Sequence, residues 1–411
     1  MGPLLFLIYV NDMCEGLSSD AHQFADDTTL IYTFKNPVHA ARIVNNDLAK
    51  LALWAHQWNV TFNTAKTFFL RISLKRKKPK LPNIKFLNKV IQESTNLTIL
   101  GVTITNDLSW NAHINNITTK ASKHLLVLNK YRNVLPRIAR EKIYLTIIRP
   151  VLEYGDILFD NIPQHLSNSL EKIQRRAAIA CTGSYKHTSH TSLLSELSWE
   201  TLSSRRLLHR LILYYKLTHK QAPQYLTDRL PPPNTTNYNL RKQNPLRPRF
   251  SRLTSSISSF FPQTTRDWNG LPNSTRSVNS IHAFKSLVRG PHRPNIYHRL
   301  CFGKREAWLS RIRMGLSALN GQRFQYGLTD SPFCPHCHTE VEDAVHYFQD
   351  CHAYRVARTT FYYKLEHTLD IDIAHKANIL QTILEGTHIS PTHYTTLINC
   401  ITEYMVDTHR F

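Results

Sequence analysis

The chain has 411 residues, and its 51 Lys and Arg residues outnumber 29 Asp and Glu residues, giving a formal net charge of +22 at pH 7. Hydrophobic residues make up 42% of the chain, which excludes wholesale disorder, and no apolar run reaches the ~18 residues of a membrane span. The surplus of positive charge favours polyanionic partners and salt-dependent binding to them. The alternative is a soluble protein whose basic surface has no such partner. Seven scattered cysteines favour a reducing compartment with one metal cluster over a disulfide framework.

The first predicted elements are a helix and a hairpin. The apolar run from Leu4 to Val10 predicts the end of a buried helix. Residues 21–24 and 28–32 are rich in β-branched and aromatic side chains, so they predict two short strands joined at a bend. Asp26 and Asp27 lie at this bend. Paired carboxylates there can ligate Mg²⁺ for phosphoryl transfer, or they can cap their own backbone as in an ordinary turn.

A helix, a strand and a basic run follow. Apolar residues recur at steps of three and four, which predicts a helix packed on a sheet; they are Ala41, Val44, Leu48, Leu51, Ala55 and Trp58. Residues 67–72 predict a strand that ends at a cluster of cations. This cluster most simply forms a solvated hairpin tip, and contact with a nucleic-acid phosphate is the competing interpretation. Its candidate binding residues are Lys75, Arg76, Lys77 and Lys78.

From about residue 116 the apolar pattern becomes helical. Pro136 is expected to open a helix, and Pro150 to interrupt or end one. Basic side chains at 174–176 and 205–206 would give this block positive faces towards a duplex, although exposed helix arginines need no ligand to explain them. The predicted core positions are Leu125, Leu126, Leu128, Ile143, Tyr144, Ile147, Ile148, Leu170, Ile173 and Ala177.

The composition changes at Pro231-Pro232-Pro233. The Asn, Thr and Ser-rich sequence that follows carries several arginines, so it predicts a linker with basic character. Residues 268–272 are expected to form a tight turn after it, in which Trp268 serves packing.

A Cys/His cluster lies near the carboxyl end, with the spacing C-x2-C-x8-H-x4-C. Zn²⁺ prefers four nitrogen or sulfur ligands in a tetrahedron, and a closed set of four leaves no position for water, so the predicted site is structural. Unrelated cysteines beside a histidine are the alternative in a chain with 22 histidines. The nearby His336, His338 and His352 leave the nitrogen ligand open. The predicted ligands are Cys334, Cys337, His346 and Cys351.

Several motifs, taken in order, resemble one family. GPLLFLIYVNDM at 2–13 and FADDTTLI at 24–31 together resemble the palm of reverse transcriptases from non-long-terminal-repeat (non-LTR, LINE-type, jockey-like) retrotransposons. NTAKT at 63–67 is similar to the next polymerase motif, and the LGV…LSW…HI segment at 100–114 to the primer-grip region. Further segments are also similar to the reading frames of those elements: 181–206, 260–272, and the Cys/His cluster with its flanks RIRMG and YR.

The resemblance implies roles for individual residues. Asp26 would ligate Mg²⁺ directly, and Asp27 would assist or orient it. Lys66 would lie near the nucleotide triphosphate or merely cap a strand end. Gly101 and Trp110 would bind nucleic acid at the primer grip, and the Cys/His cluster would grip nucleic acid as a zinc knuckle.

Some parts of the family pattern are missing from this sequence. The family takes another metal-binding carboxylate from a strand that precedes the GPLLF segment, and it holds the nucleotide with basic finger segments. Neither these segments nor the family's endonuclease is found in this sequence. We therefore expect this chain to derive from a polymerase and to be inactive by itself.

These inferences predict an α+β fold with four regions: a truncated right-hand polymerase palm at 1–115, a helical thumb at 116–230, a basic linker at 231–300 and a small zinc-binding region at 301–411. The implied reaction is RNA-templated DNA synthesis, with an RNA template, a DNA primer and retrotransposon RNA as partners and no membrane. The runner-up is a catalytically dead nucleic-acid-binding remnant, and a zinc hydrolase is disfavoured because no open metal position is evident. We expect a nuclear or cytoplasmic ribonucleoprotein, and the oligomeric state stays open.

Overall fold

The computed structural model describes residues 1–73, 75, 80–233, 246–248, 250–290, 304–369 and 376–411. These residues form the predicted α+β fold, which is mainly helical with a few short strands. They divide into two compact units, Met1–His113 and Ile114–Phe411. No described helix has the length and apolar character needed to cross a membrane.

The first unit combines short sheets with two helices. The strands pair as β1–β2, β4–β5 and β7–β8, all antiparallel, and as β3–β6, which are parallel. Its elements are α1 (Gly2–Tyr9), β1 (Asp20–Phe24), β2 (Asp27–Ile31), α2 (Pro37–Gln57), a 3₁₀ turn (Thr64–Lys66), β3 (Phe68–Leu70), β4 (Lys85–Phe86), β5 (Lys89–Val90), β6 (Gln92–Ser94), β7 (Asn96–Ile99) and β8 (Val102–Thr105).

Helix α2 organises the core of this unit. Asn36 caps it by accepting hydrogen bonds from the N–H groups of Val38 and His39, which satisfies donors that a helix start leaves unpaired. The predicted apolar stripe is confirmed up to Ala55, but Trp58 lies beyond the helix end and is 44% exposed. Trp54 takes the core position instead. The buried core residues are Val10, Met13, Ala41, Leu48, Leu51, Trp54, Ala55, Ile84, Phe86 and Ile91.

Helix α1 forms where the apolar run predicts a helix, but the expectation that it is buried is wrong. None of its residues is buried, and Leu4 and Ile8 are 59% and 66% exposed. The helix is apolar on nearly every side, so its sequence has no single stripe that would direct one face towards the core. Val10 and Met13, which follow the helix, enter the core.

The second unit is helical. It starts within α3 (Asn111–Tyr131) and continues through α4 (Arg137–Ile143), a π-helical turn (Tyr144–Ile148), α5 (Arg149–Glu153), a 3₁₀ turn (Asp156–Leu158), α6 (Gln164–Thr182), α7 (His190–Leu197), α8 (Leu202–Thr218), α9 (Gln224–Thr227), α10 (Thr254–Ile257), α11 (Phe260–Gly270), α12 (Asn273–Arg276), α13 (Ile281–Arg289), α14 (Lys304–Arg313), α15 (Asn320–Gln325), a π-helical turn (His346–Asp350), a 3₁₀ turn (His352–Tyr354), α16 (Arg355–Leu369), α17 (Lys376–Glu385), a 3₁₀ turn (Pro391–His393) and α18 (Tyr394–Asp407).

Both proline predictions in this block are confirmed. Pro136 is the residue that precedes α4. A π-helical turn ends at Ile148, directly before α5 with its Pro150, because proline has no N–H to continue the regular ladder. Most predicted core positions are buried, but Leu126 and Ile147 are exposed, since neighbouring residues on a helix point in different directions.

The arginines at 205–206 do not form the positive face that we expected. Arg206 is only 2% exposed; its Nη2 donates to Ser167 Oγ at 2.9 Å, and its Nε lies 3.6 Å from an Asp160 carboxylate oxygen. Arg205 pairs with Glu153, whose Oε2 accepts from Nη2 at 3.0 Å. Both cations therefore neutralise carboxylates inside the helical block.

The predicted linker contains folded structure. Residues 254–289 form α10 to α13, and Trp268 and Phe284 pack with Tyr214 and Tyr215 of α8 in one core. The packing role expected for Trp268 is confirmed, whereas the tight turn is wrong, because Trp268 lies in the last turn of α11. The aromatic residues provide enough apolar surface for this segment to fold onto α8.

A buried charge network ties α4, α7 and α14 together. Arg137 is fully buried; its Nη1 donates to Glu196 at 2.8 Å, and its Nε donates to Glu141 at 2.7 Å. Arg313 Nε also donates to Glu196 at 2.9 Å, and Ser310 donates to Glu196 at 2.9 Å. The arginines thus neutralise the buried glutamates, as burial of ionic groups requires.

Candidate functional site

The hairpin that carries the paired carboxylates has the predicted position. Phe24 pairs with Asp27, so the loop consists of Ala25 and Asp26 alone. Ala25 has a φ of 52°, a conformation found where two-residue hairpin loops turn the chain. Asp26 therefore lies at the tip, and Asp27 is the first residue of β2.

Both carboxylates are exposed to solvent. Within the described residues, neither accepts a hydrogen bond nor forms an ion pair, and neither belongs to a group of three or more potential metal ligands. The side chains thus do not cap the turn there. Mg²⁺ is bound in phosphoryl-transfer sites by one or two carboxylates together with substrate phosphates and water. Two adjacent, solvent-open carboxylates fit that donor set.

Lys66 ends a 3₁₀ turn just before β3. Asn63 begins this turn, and its side chain accepts a hydrogen bond from the Ala65 N–H at 3.0 Å. Leu30 of β2 and Phe69 of β3 pack against the same core, so one core carries both the carboxylate hairpin and the turn with Lys66. Among the described residues no ion pair joins the exposed Lys66 amine to the two carboxylates.

Gly101 and Trp110 lie on either side of β8. Leu100 and Gly101 form the two-residue loop between β7 and β8, with φ values of 48° and 80°; positive φ at both positions is typical of a type I′ hairpin turn. Trp110 precedes α3, and its ring stands edge-on to His113 at 6.0 Å between centroids. Gly101 is exposed and Trp110 is half-buried.

The basic run is described only at its edge. Lys75 is exposed, while Arg76, Lys77 and Lys78 lie outside the described residues. The solvated-tip and phosphate-contact interpretations both remain predictions.

The Cys/His cluster is brought together in the second unit. The ligand atoms of its four residues all lie within 4.8 Å of one another. Cys334 Sγ and Cys351 Sγ are 3.8 Å apart, and Cys337 Sγ lies 3.4 Å from His346 Nε2. Sulfur ligands about 2.3 Å from one tetrahedral ion lie roughly 3.8 Å apart. The four donors therefore fit Zn²⁺.

Local structure explains how these donors converge. Cys334 and Cys337 share one turn, in which the His338 N–H donates to the Cys334 carbonyl at 2.9 Å. His346 opens the π-helical turn, and its N–H donates to Asp343 Oδ1 at 2.7 Å. Cys351 follows that turn directly. All four side chains are buried, and the cysteines belong to a core with α16 to α18.

Groups around the cluster orient its ligands. His346 Nδ1 lies 3.0 Å from Glu340 Oε2, so its other nitrogen, Nε2, faces the cysteines; a carboxylate behind a histidine is common in zinc sites. Burial raises the pKa of the Cys351 thiol to about 12. Burial also raises the pKa of Cys337, but hydrogen bonds from Thr339 outweigh it and lower the value to about 6. Such a thiol is readily deprotonated to the thiolate that binds metal.

The sequence interpretation missed Glu340 and Thr339. Both follow Cys337 in the run CHTE, and a carboxylate in that loop is a usable signal because metal-binding histidines commonly pair with one. Of the nearby histidines, only His346 belongs to the group within the described residues. His336 instead lies against the Tyr354 ring, 5.2 Å away.

Comparisons with known proteins find relatives of one kind. No protein-family model matches the chain. It is 27% identical over 252 residues to a protein of Drosophila melanogaster named as a probable RNA-directed DNA polymerase from transposon X-element. It is also 23% identical over 221 residues to a probable RNA-directed DNA polymerase from transposon BS, and 26% identical over 167 residues to the RNA-directed DNA polymerase from mobile element jockey, both of the same organism.

The matched regions cover 56%, 51% and 38% of this chain. The chain spans about a quarter or less of the length of these relatives, at 27%, 24% and 18%. The resemblance to RNA-directed DNA polymerases of non-LTR retrotransposons, inferred from ordered motifs, is confirmed by these similarities.

Proposed function

We propose that this chain acts in RNA-templated DNA synthesis, as part of a reverse transcriptase of a non-LTR retrotransposon. The observation that carries the proposal is the β1–β2 hairpin, which presents Asp26 and Asp27 side by side and open to solvent. The similarity to polymerases of three transposons supports the same reaction. Residues 1–115 would then belong to a right-hand palm, and the helices after it to a thumb.

In the proposed reaction, the primer 3′-hydroxyl attacks the α-phosphate of a deoxynucleotide. A new O–P bond forms at the 3′ oxygen as the hydroxyl proton is lost to water, and the bond between the α-phosphorus and the bridging oxygen breaks, releasing pyrophosphate. Mg²⁺ at this site would stabilise the charge that develops on the attacking and leaving oxygens. Asp26 would hold the ion, Asp27 would orient it or assist, and Lys66 would neutralise triphosphate charge or cap the end of β3.

A catalytically dead nucleic-acid-binding remnant is the second candidate. It is favoured by the carboxylate pair itself, which within the described residues has no third acidic or histidine ligand nearby. The formal net charge of +22 supports binding of RNA or DNA in either case. We also propose a structural Zn²⁺ at the Cys/His cluster, because its donors have tetrahedral spacing. Retrotransposon RNA, in a nuclear or cytoplasmic ribonucleoprotein, is the proposed partner.

Primer extension on an RNA template with Mg²⁺ tests the reaction. The assay uses this chain and, separately, the longest protein that its transcript encodes. We expect synthesis only from a protein that also supplies the remaining carboxylate. In that protein Asp26→Asn should lower synthesis roughly 100-fold or more, because the metal contributes several kcal/mol to transition-state stabilisation.

Asp20→Asn is the matched control, since Asp20 is an exposed carboxylate at the far end of the same hairpin, where it pairs with Ile31. This variant should extend primers like the wild type. Equal synthesis by the Asp26→Asn and wild-type proteins would contradict the assignment. Binding of template and primer without synthesis by either protein would favour the remnant.

A further inference from the structure

The second unit contains a cleft that the polymerase chemistry does not use. It lies between the segment after α6 and the residues around α15, and its volume is about 280 Å³. The residues that matter for its chemistry are Tyr185, His187, Arg323 and Tyr326. The cleft thus joins two segments from distant parts of the chain, and both carry aromatic and basic side chains.

Three aromatic rings in the cleft lie at the surface. The Tyr185 and His187 rings are nearly parallel, with 5.6 Å between centroids and an interplanar angle of 6°. The His187 and Tyr326 ring centroids are 5.8 Å apart. Tyr185 and Tyr326 are 38% and 51% exposed, so these rings are not core residues. Exposed, adjacent aromatic side chains offer a surface on which another planar ring can stack.

Positive charge accompanies the rings. The Arg311 guanidinium lies over the Tyr185 ring, 4.4 Å from its centroid, and two hydrogen bonds to the Gly183 carbonyl, at 3.1 and 2.6 Å, fix its position. Arg323 lines the cleft, and none of the described residues that line it is acidic. Within the described part of the chain, neither arginine forms an ion pair with a carboxylate. Both charges are therefore available to an anionic ligand.

A smaller cavity of about 150 Å³ adjoins the cleft, and both are lined by Ser317 and Ala318. Arg311 and Trp308 line this second cavity, so its walls again combine a cation with an aromatic ring. The two cavities thus share two lining residues, and each has at least one arginine and one aromatic ring in its walls. A ligand that carries both planar rings and phosphates matches this combination of side chains.

We propose that this aromatic cleft binds the bases of single-stranded nucleic acid. Base faces are free to stack on Tyr185, His187 and Tyr326 only when they are not stacked within a duplex, and Arg311 and Arg323 would neutralise the adjacent phosphates. This inference rests on the proposed function, from which it takes nucleic acid as the class of ligand. It does not require catalysis at Asp26 and Asp27.

Fluorescence anisotropy with the full chain tests the proposal. The probes are a short fluorescein-labelled single-stranded RNA, a DNA strand of the same mixed sequence, and the corresponding duplex, without Mg²⁺ or nucleotides. Tyr326→Ala and Tyr185→Ala should each weaken single-strand binding roughly five- to 100-fold, as loss of a base-stacking ring does. Duplex binding should stay as in the wild type. The RNA and DNA probes distinguish the two sources of the strand.

Two controls separate stacking from damage to the fold. Tyr326→Phe keeps the ring and should bind like the wild type, and so should Tyr225→Ala, which removes an exposed tyrosine outside the cleft. Thermal melting of each variant checks its fold. As an independent measurement on the unmutated chain, a bromouracil-containing strand should crosslink under ultraviolet light to Tyr185, His187 or Tyr326.

Wild-type affinity in both alanine variants, or crosslinks only at other residues, would overturn the proposal. So would the absence of any single-strand binding by the full chain. Because the assay contains neither Mg²⁺ nor nucleotides, its result is independent of primer extension. If the longer protein synthesises no DNA while the tyrosine variants of this chain lose strand binding, the polymerase assignment is refuted and the cleft is supported.

Discussion

Single residues around the Cys/His cluster show which contacts the spacing of a motif predicts and which contacts it does not. The C-x2-C-x8-H-x4-C pattern predicts a set of donors that the fold brings within 4.8 Å of one another. Two cysteines on one turn, and a histidine five residues before another cysteine, need few other constraints to converge. No spacing pattern in the sequence marks Glu340, and its contact with His346 is seen only in the fold. Arg206 is the opposite case: its sequence suggests a surface cation, and the fold buries it against Asp160.

We predict that the cluster binds one zinc ion per chain and that Cys337→Ser largely abolishes the binding, because it removes one of four ligands. Glu340→Gln should retain the site but weaken zinc affinity roughly 10- to 100-fold, since a carboxylate behind a ligand histidine orients it and increases its basicity. Elemental analysis of the purified protein and competition with a chelator of known affinity measure the two effects.

Glu366→Gln is the control for this experiment, because Glu366 is an exposed glutamate on α16 outside the cluster. Its zinc affinity should match that of the wild type. Equal zinc content in the wild type and Cys337→Ser would refute the site, and an unchanged affinity in Glu340→Gln would refute the orienting role of the carboxylate.

At the scale of elements, sequence patterns predict where chains turn better than which faces are buried. Alternating β-formers around Asp26 and Asp27 correctly predict the β1–β2 hairpin, and the stripe from Ala41 to Ala55 correctly predicts the buried face of α2. The sequence correctly predicts that α1 is a helix but not that it is exposed. A uniformly apolar helix has no pattern that selects one face for burial. Residues 254–289 look like a linker in the sequence because their apolar side chains pack against α8, an element that lies well before them in the chain.

The β7–β8 loop leads to a stability prediction. Leu100 has a φ of 48°, a conformation that costs a non-glycine residue of order 1 kcal/mol and that Asn tolerates better. Leu100→Asn creates the Asn-Gly pair that type I′ turns prefer, so the free energy of unfolding should rise by about 1 kcal/mol. Chemical denaturation, followed by tryptophan fluorescence, measures the change.

Gly101→Ala serves as the opposing variant. Gly101 has a φ of 80°, and a side chain there introduces strain of about 1 kcal/mol, so this protein should be less stable than the wild type. If Leu100→Asn lowered the denaturation midpoint, or Gly101→Ala left it unchanged, strain in this loop would not be the controlling factor.

For the whole molecule, the sequence predicts the net charge but not where the charged side chains lie in the fold. The formal net charge is +22, yet Arg137, Arg206 and Arg210 are almost fully buried in ion pairs with carboxylates. The cations available to a polyanion are therefore fewer than the composition suggests. Those beside the aromatic cleft, Arg311 and Arg323, become apparent only when the fold brings their segments together.

We predict that single-strand affinity falls linearly with salt on a double logarithmic scale. Each phosphate neutralised contributes a slope of about −0.7 for single strands, so Arg323→Gln should make the slope shallower by about 0.7. Arg323→Lys keeps the charge and should keep the slope. Anisotropy titrations over a range of salt concentrations measure it, and an identical slope in Arg323→Gln and wild-type protein would exclude phosphate contact by Arg323.

The buried network of Arg137, Glu141, Glu196 and Arg313 also bears on how the protein is made. Arg313 follows Glu196 by 117 positions, so a ribosome adding 5–20 residues per second delivers it roughly 6–25 s later. Until then Glu196 lacks the hydrogen bonds from Arg313 that it accepts in the folded chain. The network around α4 and α7 is therefore completed only after α14 emerges, and this interval is when a chaperone would have most to bind.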